Sequence, residues 1–199
     1  MNVVNLEDAS AAGEFSRSKR LKQMTHEAHD RLDKRIMAAE PFSTQERYYR
    51  FLELQYRFHA EIDPLYRYAT LAQLLPDLEA RRRLGLIRQD MRDLRMSIPS
   101  LALDTDYEID VPNALGWLYV AEGSNLGAAF LLKQAARLGL SETLGARHLA
   151  GHPHGRGLHW RRFTAALDAV DLSSEEEARV VEGATSAFRR VHVLVDEVF

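Results

Sequence analysis

The sequence predicts a single all-α domain. Apolar residues recur at helical spacing over long stretches, alternating β-branched runs are scarce, and only 6 prolines and 11 glycines punctuate 199 residues. No fixed-period repeat or low-complexity linker divides the chain. A chain of this length buries roughly 70% of the surface its unfolded form exposes, so it needs no covalent staple. It has no cysteine, which excludes disulfides, thiolate zinc sites, iron–sulfur clusters and a Cys nucleophile.

The elements follow in order. Residues 1–15 read as a flexible leader and 16–199 as the domain. A first helix runs from about Ser16 to Ala38, with the apolar stripe Leu21, Met24, Ala28, Leu32 and Ile36. Ser43 to Glu46 has the S-x-x-E form of a capping box. It opens a long aromatic helix that Pro64 should kink by removing a backbone donor. An Arg-rich helix from Asp77 to Met96 comes next, then a loop from Ile98 to Pro112. The fourth helix spans about Asn113 to Leu138, with Gly139 as its C-cap. A short helix over Ser141–Leu149 and a GHPHGRG loop precede a helix from Leu158 to Val170. Ser173 and Glu176 sit at capping-box spacing before the last helix, with acidic residues at its positive dipole end.

Charge and hydropathy narrow the function. A net charge of −3, from 26 basic and 29 acidic residues, argues against a nucleic-acid partner. The N-terminus lacks the basic and apolar regions of a secretory signal. The most apolar stretch, Asn113–Leu132, is interrupted by Glu122, Ser124 and Asn125, so it reads as a buried helix and not a membrane span. The expectation is a cytoplasmic protein with no membrane contact.

Gly116, Gly123 and Gly127 lie inside the strong helical pattern GWLYVAEGSNLGAAF, where each costs about 1 kcal/mol relative to Ala. At roughly 100° per residue they fall within about 40° of one another, so one strip of that helix is bare backbone. A second helix could pack there, or a planar ligand such as a porphyrin could lie there. A phosphate fits less well, because the glycines are not at the helix N-terminus. Glycines also permit a bend over a ligand.

On the first helix, His29 borders the apolar stripe while His26 turns toward water. His29 is either a half-buried histidine bonded to a neighbour or a neutral imidazole able to coordinate iron. Lys22 lies seven residues earlier on nearly the same face, roughly 10 Å along the axis, a spacing that suits a cation meeting the carboxylate edge of a ligand held by His29. Arg17, Lys19, Arg20 and Lys22 form one basic set, and Arg81, Arg82, Arg83, Arg88, Arg92 and Arg95 another. Such runs read as solvated faces that could also steer an acidic protein partner. His59 and His192 read as ordinary helix residues, and His152 and His154 receive no role.

Two stretches together resemble the haem oxygenase family in its bacterial branch. They are Leu21-x-x-x-Thr25-x-x-x-His29-x-x-Leu32 and the segment from Gly116 to Phe130. Glu40-Pro41-Phe42, Pro64-Leu65-Tyr66-Arg67 and Gly145-Ala146-Arg147-His148-Leu149 support the likeness, which runs from about Ser18 to Phe199. The resemblance implies a multi-helix bundle holding haem between the first helix and a kinked, Gly-rich distal helix. It implies O2- and electron-dependent cleavage of haem to biliverdin, CO and ferrous iron. His29 would be the proximal ligand. Gly123, Ser124 and Gly127 would crowd the distal face and direct oxidation to one meso carbon. Lys22 matches the propionate-holding lysine of the usual haem orientation, which implies the α isomer. Arg161 and Arg162 would sit near the second propionate, and Tyr119 or Phe188 would wall the pocket. Buried water would deliver protons in the room the bare strip supplies, and Ser124 stands where animal-type members carry an Asp that anchors such water. Electrons would come from a ferredoxin or flavin-reductase type of donor, and a bacteriophytochrome could receive the biliverdin. A non-degrading haem carrier or sensor of the same fold is the alternative.

Overall fold

In a computed structural model that describes residues 16–101 and 108–199, seven α-helices account for most of the chain. They are α1 (Arg17–Ala38), α2 (Gln45–Ile62), α3 (Ala69–Leu74), α4 (Leu84–Asp93), α5 (Val111–Ala136), α6 (Arg156–Asp168) and α7 (Ser174–Val198). Three 3₁₀ turns, Leu65–Arg67, Glu79–Arg81 and Arg147–Leu149, join them, and no β-strand forms among the described residues. The leader 1–15 and part of the Ile98–Pro112 loop lie outside the described residues.

Helix α7 is the central strut, packing on α1, α2 and α5. Its Val180, Ala184, Ala187 and Leu194 interlock with Leu115 and Leu118 of α5, Leu52 of α2 and Leu21 of α1 in one continuous core. The capping box forms as the sequence predicts: Ser173 Oγ accepts from the Glu176 N–H, and Glu176 accepts from the Ser173 N–H at 2.8 Å. Gly139 adopts φ +77° and ends α5, as expected of a left-handed C-cap.

Several boundaries differ from the sequence expectation. The cap of α2 is Thr44, whose Oγ1 accepts from the Arg47 N–H, while Ser43 bonds back to the Glu40 carbonyl. Pro64 does not kink one long helix. The α-helix stops at Ile62 and resumes at Ala69, with a 3₁₀ turn between. The Arg-rich helix is only Leu84–Asp93, because Pro76 restricts the backbone before it and Asp77 takes φ +62°. Ser141–Leu149 is a tight turn with isolated bridges from Ser141 to Leu144 and Gly145, followed by a 3₁₀ turn. Met24, placed in the apolar stripe of α1, is 60% exposed, and Thr25 is buried in its stead with its hydroxyl bonded to the Leu21 carbonyl.

The arginine runs are largely structural. Arg17 is buried and donates to the carbonyls of Leu167 and Val170 and to Glu177. Arg82 clasps Asp63 with two 2.9 Å bonds, and Arg83 donates to the His148 carbonyl. Arg81 is buried as well, leaving Arg88, Arg92 and Arg95 as the outward members of that set. Partners distant in sequence, Asp63 and Glu122 among them, draw these cations inward.

Candidate functional site

Helices α1 and α5 are brought together by α6 and α7, which pack on both. On α1, His29 is 55% exposed by side chain, so it rests on the core edge without entering it. Its ring meets Phe188 of α7 edge-on, with centroids 5.8 Å apart and planes at 83°. His29 Nδ1 lies 3.4 Å from Asp33 and 3.9 Å from Asp30. Carboxylates beside Nδ1 favour the tautomer with the proton on that nitrogen, which leaves the Nε2 lone pair for a ligand. Lys22, two turns earlier on the unbroken helix, is exposed.

The three glycines of α5 divide into different roles. Gly116 serves helix packing: a Cβ there would meet the Val180 carbonyl oxygen at 2.1 Å. Gly123 faces α6, where a Cβ would lie 3.5 Å from the Trp160 ring. A Cβ added at Gly127 would meet nothing within 4 Å among the described residues, and Leu126 and Phe130 on the same stretch are 43% and 51% exposed. The bare strip therefore ends in an open, apolar stretch of backbone. Ser124 Oγ donates to the Ala121 carbonyl at 2.7 Å. Such back-bonding next to a glycine favours a bend, although α5 remains helical throughout.

The other expected residues are less concentrated. Tyr119 is nearly buried and packs on Trp160 at 5.5 Å, and burial pushes its hydroxyl up to about 12. Arg161 and Arg162 are exposed on α6. His192 pairs with Asp196 one turn on, as an ordinary helix residue would.

Beneath α5 lies a polar group that sequence reasoning missed. Glu122, 3% exposed, accepts from Tyr66 Oη at 2.8 Å and from Arg81 at 3.0 Å. Arg81 also donates to the His159 carbonyl at 3.2 Å and lies over the Phe163 ring. Burial pushes the Glu122 carboxyl above the usual carboxylate range, against the pull of Arg81 and Tyr66. Nearby, His148 Nδ1 bonds Asp90 at 2.8 Å, and His59 is buried, its pKa lowered by burial and by Arg83 to about 3. His59 is thus a helix residue, as expected, and a neutral one inside the core. Arg81 Nε, Arg83 Nε and His148 Nε2 are buried without a hydrogen-bond partner among the described residues. The one available signal was Glu122 itself, an acid in the middle of the most apolar helix.

Among the described residues, no cluster of three or more His, Cys, Asp or Glu could hold a metal ion by itself, and no helix is long and apolar enough to cross a membrane. A group bringing its own ligand plane fits better. A planar tetrapyrrole would need from the protein one axial nitrogen and flat apolar walls.

The family model described as "Heme oxygenase" matches residues 16–197. The chain is 42% identical over 184 residues to heme oxygenase PigA of Pseudomonas aeruginosa, covering 92% of this chain and 93% of that one. The NO- and CO-bound heme oxygenase structure from Neisseria meningitidis is similar at TM-score 0.88 and 43% identity, over 92% of each chain. Heme oxygenase from Leptospira interrogans, at 17% identity and TM-score 0.73 over 92% of this chain and all of that one, shares the fold. With the family model spanning nearly its whole length, this chain belongs to the haem oxygenase family and is an enzyme of haem breakdown.

Proposed function

We propose that the protein cleaves haem to biliverdin, CO and ferrous iron, with His29 as proximal ligand and the α isomer as product. Two observations support this reading: a half-exposed imidazole on α1 with Nδ1 facing Asp33 at 3.4 Å, and on α5 a Gly127 at which an added Cβ would meet nothing within 4 Å among the described residues. Bound haem supplies the oxygen-activating iron and the carbon skeleton that is oxidised. O2 and an external donor of the ferredoxin or flavin-reductase type supply the rest, and a bacteriophytochrome is one consumer of the product.

The residues of this chain bind, orient and protonate. Asp33, 3.4 Å from His29 Nδ1, favours the tautomer that leaves the Nε2 lone pair for iron. Lys22 holds one propionate, and exposed Arg161 and Arg162 supply cations for the other. Gly123 and Gly127 let backbone approach the ring where any side chain would stand in the way, and Tyr119 and Ser124 flank them. Below them, the buried Nε–H groups of Arg81 and Arg83 and the Nε2 lone pair of His148 are of the kind ordered water satisfies, and such water would deliver protons.

Haem titration separates the readings. Wild type should bind haem with the spectrum of a histidine complex, and His29→Ala should lose that spectrum. With a reductant and air, the haem absorbance should give way to that of biliverdin. Haem that survives reduction in air would mark a carrier or sensor instead. Lys22→Asn should replace the α isomer by others, and an unchanged isomer would remove Lys22 from orientation.

A further inference from the structure

Gly116 and Gly183 lie in a backbone contact between α5 and α7. A Cβ on Gly183 would sit 2.0 Å from the Asn113 carbonyl oxygen, and one on Gly116 would sit 2.1 Å from that of Val180 and 2.5 Å from the Ala184 nitrogen. Real Cβ contacts essentially never fall below 3.0 Å, so a methyl at Gly183 must part the two helices by about 1 Å. Backbone cannot swing aside as a side-chain tip can.

The same α7 fixes the opposite wall. Phe188, five residues past Gly183, touches the His29 ring. Arg17 to Glu177 at 2.7 Å and Arg35 to Asp196 at 2.8 Å tie α1 to α7 near both ends. Gly123 and Gly127 lie roughly 10 and 16 Å beyond Gly116 along α5. The crossing thus fixes the spacing of α5 and α7 at one end of the bare strip.

We infer that the Gly116–Gly183 crossing is a positioning device that sets the place of the distal backbone relative to His29, and so governs which meso carbon is oxidised. Neither glycine touches the substrate. This rests on the crevice reading above. Its chemical content is that a shift of about 1 Å at a reacting edge is enough to change rate by about a hundredfold.

The test compares Gly183→Ala with Leu194→Ala, a cavity in the core of the same helix. Three quantities are measured: melting of the haem-free protein, haem affinity by absorption titration, and biliverdin isomers after one turnover. Both variants should melt lower than wild type. Only Gly183→Ala should bind haem at least tenfold more weakly and give a mixture of isomers. If Gly183→Ala does not fold, Ala184→Val, a wedge whose side chain can adjust, takes its place under the same readouts. A folded wedge variant with wild-type affinity and isomer ratio overturns the inference. So does an equal isomer shift in Leu194→Ala, since that would reflect loosening in general. His29→Ala run in parallel isolates the reading beneath: if it binds haem as wild type does, the crevice is misplaced, whatever the wedge shows.

Discussion

Arg81 and Glu122 form an ion pair at 3.0 Å in which each side chain is only 2% exposed. Tyr66 Oη gives the carboxylate a second bond, at 2.8 Å. Removing one partner strands the other charge in a low-dielectric interior. Arg81→Met should cost about 3–5 kcal/mol in urea unfolding at pH 8. The double variant Arg81→Met with Glu122→Gln should cost clearly less. Glu122 titrates higher folded than unfolded, so the folded state binds the extra proton, and the deficit of Arg81→Met should shrink as pH falls toward 5. Equal deficits in the single and double variants would show that the pair's charge is not what matters.

His59 makes stability depend on pH in the opposite sense. Burial lowers its pKa to about 3, whereas an unfolded histidine takes its proton near 6.5. Between those values the unfolded state binds the proton and the folded state does not, so acid favours unfolding. Lowering the pH from 7.5 to 5 should remove about 2 kcal/mol through this residue. His59→Leu should flatten that part of the profile. Profiles of identical slope would mean that His59 is protonated in place.

The clamp of Arg17 joins the two terminal helices. Its guanidinium reaches Glu177 at 2.7 Å and two backbone carbonyls at the end of α6. Arg17→Ala leaves those carbonyls short of a donor and should cost about 2–4 kcal/mol. Haem affinity should fall with it, since α1 loses one of its ties. Calorimetry and haem titration on the same sample check both halves.

Ser173→Ala removes the hydroxyl that accepts from the Glu176 N–H. A loss of about 1 kcal/mol is expected. Ser173→Thr should restore most of it. Thermal melts of the three proteins decide this.

Much of this fold was legible in the sequence because its helices are amphipathic or capped. α1, α5 and α7 were foreseen to within a few residues, since Ser16, Gly139 and the Ser173–Glu176 pair punctuate them. The region between α2 and α4 was misjudged because helical spacing continues across Pro64 and Asp77, while the backbone turns there through 3₁₀ geometry and a positive φ. His29 and Gly127 stood out as a ring and a gap on helical faces. Gly116 could not be told from its neighbours, because its partner Gly183 lies 67 residues on and helical spacing says nothing about such crossings. The inward turn of Arg17 and Arg81 was hidden for the same reason: a cation's partner, 160 residues away in one case, leaves no local trace.

That span has a consequence for how the molecule is made. The strut on which α1, α2 and α5 lean is synthesised after all three of them. At about 5–20 residues per second, the first helix waits on the order of ten to thirty seconds for its counterpart. Until then α1, α2 and α5 lack the helix on which all three pack. Emergence of α7 is therefore the event that lets the three earlier helices close on a common partner.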